Sequence, residues 1–321
     1  MVAKRLLLAA LAALGAFGAY GEARSLRWPS KPIRWIVPFP AGGPADIIAR
    51  TVADKLGERI GQPNAIENRP GARGNLGHRA AARSASDGHT LLFVVPAILT
   101  NRLYMKTGVD PFVDLAPIIH LDNAPLILLV NAPFPVHSVP ELISAIRARP
   151  AQVRCGASGA IPELACDMLR IFAQTDMRIV SFKGHAAALN ALMDGKIDLV
   201  FEMITMAAGA VKTGRVRALA YTGRKPSPMV LADLPTMVEA VPGFDLPTWH
   251  GVMAPRHTPR DLIARINREI NGVLQDPDVR NRLEQSGLEV TGGPPEAFEA
   301  VLRRDFARYQ KLLSEAGIKP R

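Results

Sequence analysis

The chain has little cysteine, few aromatic side chains and no repeat. Two cysteines in 321 residues exclude both a disulfide-rich scaffold and a zinc site with four cysteine ligands. Aromatic residues make up only 6% of the chain, so stacking platforms for single-stranded nucleic acid are scarce. Glycine and proline are frequent, with 26 and 27 residues, but they follow no period, which excludes a collagen-like chain. What remains is an ordinary globular composition with 48% apolar residues.

The charge balance is basic, with 39 Lys and Arg against 29 Asp and Glu, and a formal net charge of +10. Such an excess attracts nucleic acid, an anionic surface or a small anionic ligand. The basic residues are scattered, and the densest group, from Arg303 to Lys311, follows a helical pattern typical of a solvated face. We therefore expect a small anionic ligand and no nucleic acid. The length is sufficient for about two domains.

The first residues show the three-part pattern of a secretory signal peptide. Lys4 and Arg5 precede an uncharged, mostly apolar run over residues 6–20, and small residues follow up to Ala23. A membrane anchor is the alternative, but a bilayer span needs roughly 20 apolar residues. We expect cleavage of residues 1–23 and export to the periplasm. No later segment reaches the length of a span without a charge or a proline.

The motifs of common enzymes fail on inspection. Residues 156–160 resemble a nucleophile elbow, but Ala160 stands where that pattern needs glycine. Residues 71–77 are rich in glycine but lack the spacing of a dinucleotide-binding loop. The seven histidines are dispersed, without the spacing of metal ligands. We therefore expect no catalytic residues, no metal and no cofactor.

The two cysteines, Cys155 and Cys166, lie at a predicted strand end and on the following helix. In an exported protein such a pair can form a disulfide. A strand and a helix diverge quickly from the loop that joins them, so the favoured interpretation is two buried thiols.

Predicted strands and helices alternate twice along the chain. The predicted strands are residues 33–39, 65–68, 89–95, 126–130, 153–157, 178–182, 197–201 and 216–221. The predicted helices are residues 46–59 with Asp46 as cap, 75–84, 163–173, 186–194, 259–274, 277–285 and 294–316. This alternation is typical of parallel sheets covered on both faces. It predicts an α/β protein of two lobes around a cleft, with chain crossings inside residues 111–140 and 226–259.

In each half of the chain a strand runs into a glycine-containing loop and then into a helix. The first loop is Pro40-Ala41-Gly42-Gly43, and the second begins Ser158-Gly159-Ala160. Free backbone N–H groups at a helix start, together with the helix dipole, bind carboxylates without a basic side chain. Plain turn chemistry explains either loop alone. Two such loops on facing lobes predict a carboxylate site.

Several longer stretches match one known pattern. The most specific is Glu67-Asn68-Arg69-Pro70-Gly71-Ala72-Arg73-Gly74-Asn75-Leu76-Gly77. Further matches are residues 29–33, 37–46, 49–50, 86–92, 138–143, 182–184, 195–198, 234–236 and 249–255. These stretches resemble the Bug family, the extracytoplasmic solute-binding receptors of tripartite tricarboxylate transporters. The resemblance covers essentially the whole chain after the leader.

The resemblance implies a type II-like periplasmic binding protein, with a ligand cleft between two α/β lobes and two crossing strands. Residues 24–128 and 249–321 would form lobe 1, and residues 129–248 would form lobe 2. The receptor would be a monomer that delivers a small carboxylate-bearing molecule to membrane transporter subunits. The positions that match the family's cleft are Phe39, Pro40, Ala41, Gly42, Gly43, Asp46, Ser158, Gly159, Ala160, Lys183, Gly184 and Glu202.

Three cleft segments depart from the family's usual pattern. Glu163 stands in place of a histidine after a shortened loop, Glu202 replaces an aspartate, and residues 101–104 lack a proline. Two glutamates would repel a second ligand carboxylate, so we expect a monocarboxylate or a ligand that also bears an amine. Two alternatives stay open. One is an orphan sensor that presents its closed form to a signalling protein, and the other is a secreted enzyme acting on an anionic substrate.

Overall fold

Two mixed β-sheets organise the protein. The structure is a computed structural model and describes residues 28–223, 231, 233–246 and 248–315; the predicted leader lies outside these residues. The strands are β1 Ile33–Val37, β2 Asn64–Asn68, β3 Thr90–Val94, β4 Leu115–Asn123, β5 Leu126–Asn131, β6 Arg154–Ala157, β7 Arg178–Ser181, β8 Leu199–Met203, β9 Val216–Tyr221, β10 Trp249–Pro255 and β11 Glu289–Val290. The first sheet has the order β11-β4-β10-β3-β1-β2, and the second has the order β7-β6-β8-β5-β9. We call the first sheet with its helices lobe 1 and the second sheet with its helices lobe 2.

Helices follow most strands. In lobe 1 they are α1 Pro44–Ile60, α2 Asn75–Ala82, α3 Ala97–Tyr104, α9 Arg260–Leu274, α10 Pro277–Gln285 and α11 Pro295–Glu315, with a 3₁₀ turn Ala72–Gly74 before α2. In lobe 2 they are α4 Val139–Ala148, α5 Ala160–Ala173, α6 His185–Met193, α7 Ile204–Lys212 and α8 Met237–Ala240. The sequence analysis missed α3, α4, α7 and α8. For α4 the sequence contained a signal, a serine at position 138 followed three residues later by Glu141. In the structure Ser138 is the N-cap, and its hydroxyl accepts a hydrogen bond from the Glu141 N–H.

The sheets are parallel only in part. β1 pairs in parallel with β2 and β3, and β6 pairs in parallel with β7 and β8, as predicted. The pairing is antiparallel at the strands nearest the crossings, of which the sequence analysis predicted β5, with parallel pairing, and missed β4 and β10. β10 is antiparallel to β3 and β4, and β5 is antiparallel to β8 and β9. The reason is topological, since the chain leaves lobe 1 through β4 and returns through β10 in the opposite direction.

The chain changes sheets at two places that lie side by side. The first crossing is Ala124 and Pro125, between β4 and β5, and the second precedes β10. The Ala124 N–H donates to the Thr248 carbonyl at 2.8 Å, and the Thr248 hydroxyl donates to the Ala124 carbonyl. The predicted division between residues 128 and 129 falls inside β5, which pairs along its length with lobe 2 strands. The change of sheet therefore occurs four residues earlier than that division.

Apolar packing fills each lobe and also joins the two. One cluster lies between the lobe 1 sheet and α1 with α9, and another lies under α6 and α7 in lobe 2. The largest cluster runs through both lobes and includes Leu92 and Trp249 from lobe 1 and Leu128 and Phe201 from lobe 2. The lobes therefore share buried surface close to the crossings. Among the described helices, none is both long and apolar enough to span a bilayer.

Cys155 and Cys166 form a disulfide, with their Cα atoms 6.1 Å apart. The expectation of two free thiols is therefore wrong. The short loop between β6 and α5 lets the helix fold directly back onto the strand. Cys166 on the second turn of α5 then faces Cys155 on β6 across a buried interface.

Candidate functional site

The first part of the site is the loop between β1 and α1. Phe39 is half-buried, while Pro40, Ala41 and Gly42 are exposed to solvent. Helix α1 begins after Gly43, which acts as N-cap with no side-chain hydrogen bond to the first turn. The prediction that Asp46 is the cap is therefore wrong, because Pro44 already adopts helical geometry and places Asp46 in the first turn. The N–H groups of that turn consequently lack a side-chain cap, as an anion site requires.

Asp46 instead holds the loop in shape. Its buried carboxylate accepts the Gly42 N–H at 2.8 Å, Arg50 Nε at 2.9 Å and Asn68 Nδ2 at 2.8 Å. Burial alone would raise the pKa of Asp46, but these hydrogen bonds, with Arg50 foremost, hold it below its ordinary value. Asn68 also donates to the Phe39 carbonyl at 3.1 Å. The carboxylate therefore stays charged and fixes the loop against the end of β2.

The second part of the site consists of two helix starts in lobe 2. Gly159 is the N-cap of α5 and Gly184 is the N-cap of α6, again without a side-chain hydrogen bond to the first turn. Ser158 and Gly159 are half-buried, and Ala160 is buried. The Ser158 hydroxyl lies 3.1 Å from His185 Nδ1, so the two helix starts meet. This contact brings the predicted Ser158, Gly159, Ala160 and Gly184 together.

Glu202, at the end of β8, lies beneath this meeting point and is fully buried. One carboxylate oxygen contacts His185 Nδ1 and also accepts the Met203 N–H at 2.9 Å. The other oxygen, Oε2, has no hydrogen-bond partner among the described residues. Burial alone would lower the pKa of His185, but the hydrogen bond and charge of Glu202 raise it above 6.5.

The two parts of the site are joined by Arg73 and Glu163. Arg73 in the 3₁₀ turn of lobe 1 forms an ion pair with Glu163 in the first turn of α5. The turn packs beside the end of β1, because a Cβ atom on Gly74 would lie 3.4 Å from the Pro38 Cβ. The helix starts of the two lobes therefore lie on the same side of the molecule.

Lys183 is the exception among the predicted cleft residues. Its side chain is exposed, and no described residue forms a hydrogen bond or ion pair with its amine. The structure places it next to Gly184 but shows no role for the ammonium group.

Sequence reasoning missed several residues of the site. Arg50, Asn68 and Arg73 were part of matched stretches without an assigned role, and His185 was set aside with the other histidines. The signal for His185 was its position directly after Gly184, at the first residue of a helix. Gly74 begins α2 beside Arg73 and is a further glycine N-cap without a side-chain hydrogen bond.

A comparison with protein families matches residues 48–318 to the tripartite tricarboxylate transporter family receptor. The chain belongs to this family. Its predicted resemblance to the Bug receptors is confirmed by relatives of similar length. The UPF0065 protein in the tcbD-tcbE intergenic region of Pseudomonas sp. is 33% identical over 319 residues, 98% of this chain and 95% of that protein. Protein BugT of Bordetella pertussis is 30% identical over 298 residues, 91% of each chain.

Solved structures of similar proteins have the same architecture. R. palustris Rpa4515 with adipate has a TM-score of 0.84 and 33% identity, covering 92% of this chain and all 100% of that one. The periplasmic binding protein BugD has a TM-score of 0.82 and 29% identity, over 92% and 100%. MatC from Rhodopseudomonas palustris with bound malate has a TM-score of 0.80 and 30% identity, over 89% and 100%. The predicted two-lobed fold and receptor function are confirmed, and the family is one of periplasmic binding proteins.

Proposed function

We propose that this receptor holds a small carboxylate-bearing molecule between its lobes, mainly through backbone N–H groups at the starts of α1, α5 and α6. The observation that carries this proposal is that each of these helices begins at a glycine without a side-chain cap. A helix start of this kind binds an anion through the free N–H groups and the positive end of the helix dipole. The ligands in two structures of similar receptors, adipate and malate, are carboxylates.

The charged side chains around these helix starts support a main-chain grip. Three of the cations already face a carboxylate of the chain itself, so little side-chain charge is left for a ligand. The three pairs are Arg50 with Asp46, Arg73 with Glu163, and His185 with Glu202.

The same pairs change the argument about the charge of the ligand. Because Glu163 and Glu202 each have a cationic partner, simple repulsion by two free glutamates does not explain a preference for monocarboxylates.

The enzyme alternative lacks geometric support. Ser158, His185 and Glu202 include the residue types of a nucleophilic triad, in which the serine and the acid contact opposite ring nitrogens. Here the Ser158 hydroxyl and the Glu202 carboxylate both contact Nδ1. Nδ1 therefore cannot take the serine proton while it is engaged by Glu202.

We propose a monomeric binding protein without catalytic activity, whose closed form docks on the membrane subunits of the transporter.

The test is to identify what the protein binds. Protein isolated from periplasmic extracts should carry a small carboxylate that native mass spectrometry detects and that denaturation releases. Adding that compound at 100 times its dissociation constant should stabilise the stripped protein by about 2.7 kcal/mol. A co-purified compound that has no carboxylate would contradict the proposal. So would a carboxylate ligand that binds equally well after its carboxylate is removed.

Export is proposed from the leader. Expressed with residues 1–23, the protein should appear in periplasmic extracts shortened by about 21 to 25 residues, the usual length of such leaders. Amino-terminal sequencing measures this directly. An intact amino terminus in the membrane fraction would instead indicate an anchor.

A further inference from the structure

The Arg73–Glu163 ion pair is a direct charge contact between the two halves of the proposed site. The Arg73 and Glu163 side chains are only 31% and 19% exposed. Partial shielding from water makes such a pair stronger than one on an open surface. Because Arg73 belongs to lobe 1 and Glu163 to the first turn of α5 in lobe 2, the pair bridges the two lobes beside one of the proposed anion-binding helix starts.

Arg73 is held in place independently of Glu163. Its guanidinium lies 5.8 Å from the centre of the Tyr104 ring, and its carbonyl accepts Asn101 Nδ2 at 2.9 Å. The Tyr104 hydroxyl in turn donates to Asp167 on α5 at 3.2 Å. The guanidinium is therefore pre-positioned on the lobe 1 side, facing the first turn of α5.

The backbone of Arg73 supports a use for its side chain. Its φ is +57°, and it lies between Ala72 at +47° and Gly74 at +93°. A non-glycine residue in this left-handed region costs about 1 kcal/mol, and such residues cluster at ligand clamps. A glycine would meet no such cost here, so the arginine brings a cation to this position at the expense of stability.

Arginine is the side chain best matched to a carboxylate, because its planar guanidinium offers two parallel N–H donors. In this chain the carboxylate that Arg73 binds is Glu163, which the protein itself supplies. Resting on the proposed function, we propose that Glu163 occupies the place of a ligand's second carboxylate. The receptor thereby selects monocarboxylates over dicarboxylates.

The selection follows from the cost of the alternatives. A dicarboxylate with one carboxylate at the α1 start would bring its other carboxylate towards Glu163. This second carboxylate must then either displace Glu163 from Arg73, which leaves the half-buried carboxylate of Glu163 unpaired, or remain without a cationic partner itself. A monocarboxylate of equal length brings an apolar end and meets neither cost.

The experiment compares matched ligands in matched variants by isothermal titration calorimetry. The ligands are straight-chain monocarboxylates and dicarboxylates of four to eight carbons, paired by length, such as hexanoate and adipate. The proteins are the full mature chain and its Glu163→Gln, Arg73→Gln/Glu163→Gln and Asp198→Asn variants. Asp198→Asn is the control, because it breaks an ion pair with Arg154 of similar exposure, 34% and 18%, within lobe 2.

We expect the unchanged protein to bind a monocarboxylate at least about tenfold more tightly than the dicarboxylate of the same length. A factor of about ten corresponds to the loss of one charge-assisted hydrogen bond. Glu163→Gln should abolish or reverse this ratio by improving dicarboxylate binding. The double variant should lose the improvement, since the gain needs Arg73. Asp198→Asn should leave the ratio unchanged.

Two results would overturn the inference while leaving the proposed function intact. One is equal dicarboxylate affinity in the unchanged protein and Glu163→Gln, and the other is a gain that persists in the double variant. Failure of every carboxylate to bind any folded variant would instead overturn the proposed function, and this inference with it. Circular dichroism and the unfolding midpoint of each variant establish that the proteins compared are folded.

Discussion

Ala124 and Thr248 exchange hydrogen bonds between the two chain crossings, with the Ala124 N–H donating to the Thr248 carbonyl at 2.8 Å and the Thr248 hydroxyl donating in return. Both residues are buried. The crossings are therefore tied to each other at the point where the lobes meet. Next to them, Leu126 and Thr222 exchange a second set of two bonds at 2.9 Å each.

Thr248→Val should destabilise the protein by about 1–2 kcal/mol. The substitution keeps the shape of the side chain but leaves the buried Ala124 carbonyl without the hydroxyl donor, and an unsatisfied buried acceptor costs about this much. Urea unfolding measures the change. Thr248→Ser keeps the hydroxyl and should retain most of the stability, so an equal loss in both variants would contradict the role of this bond.

Gly43→Val should abolish the stabilisation of the protein by its ligand. Gly43 has φ −78° and ψ 167°, which any residue adopts, and a Cβ there would meet only the Pro40 carbonyl at 3.4 Å. The backbone should therefore persist, with a loss of about 1 kcal/mol for a poor N-cap residue. The added side chain would fill the space in front of the α1 start. Thermal shifts with and without ligand separate the two effects.

Gly42 offers a comparison with a matched control. Gly42 and Gly61 have φ of +75° and +67°, and a Cβ on either meets nothing within 4 Å. Alanine at each position should cost a similar amount, about 1 kcal/mol, from left-handed strain. Only Gly42→Ala should also weaken ligand binding, since Gly61 ends α1 far from its start. Equal ligand affinity in both variants would place the anion elsewhere.

The His185–Glu202 pair should make stability depend on pH. Because the folded-state pKa of His185 is raised above 6.5, its stabilising contribution is complete below about pH 6.5 and is lost as pH rises through the folded-state pKa. The free energy of unfolding should therefore fall more steeply above pH 6.5 in the unchanged protein than in His185→Gln. Denaturant unfolding between pH 6 and 9 checks this, and identical slopes would contradict the pairing.

The Cys155–Cys166 disulfide should stabilise the second lobe. It closes a loop with a sequence separation of 11, for which loop-closure entropy predicts about 2–3 kcal/mol. Reduction, or replacement of both cysteines by alanine, should lower the free energy of unfolding by this amount. The double-alanine variant should be insensitive to reductant. Two titratable thiols in the denatured, unreduced protein would show that the bridge is absent.

Local pattern predicted eight of the eleven strands and seven of the eleven helices in the described part of the chain, and it missed β4, β10 and β11. The strand predicted over residues 33–39 is β1, and the loop Pro40-Ala41-Gly42-Gly43 leads into α1 as expected. These features depend on alternating hydrophobicity and on glycine and proline within a few residues of one another. The helix cap was mistaken because Asp46 satisfies the cap pattern equally well, and only the backbone geometry at Pro44 decides between the two.

The amino-acid sequence by itself determined the family, the two α/β halves and the glycine-containing loops that lead into α1 and α5, because each follows from residues close together in the chain. The tertiary structure alone decided that Arg73 pairs with Glu163 and that His185 pairs with Glu202. Arg73 and Glu163 are 90 residues apart, and His185 and Glu202 are 17 apart. Contacts over such separations depend on how the two sheets and their helices pack. The same packing brought Cys166 back onto Cys155 and set β5 and β10 antiparallel to their neighbours.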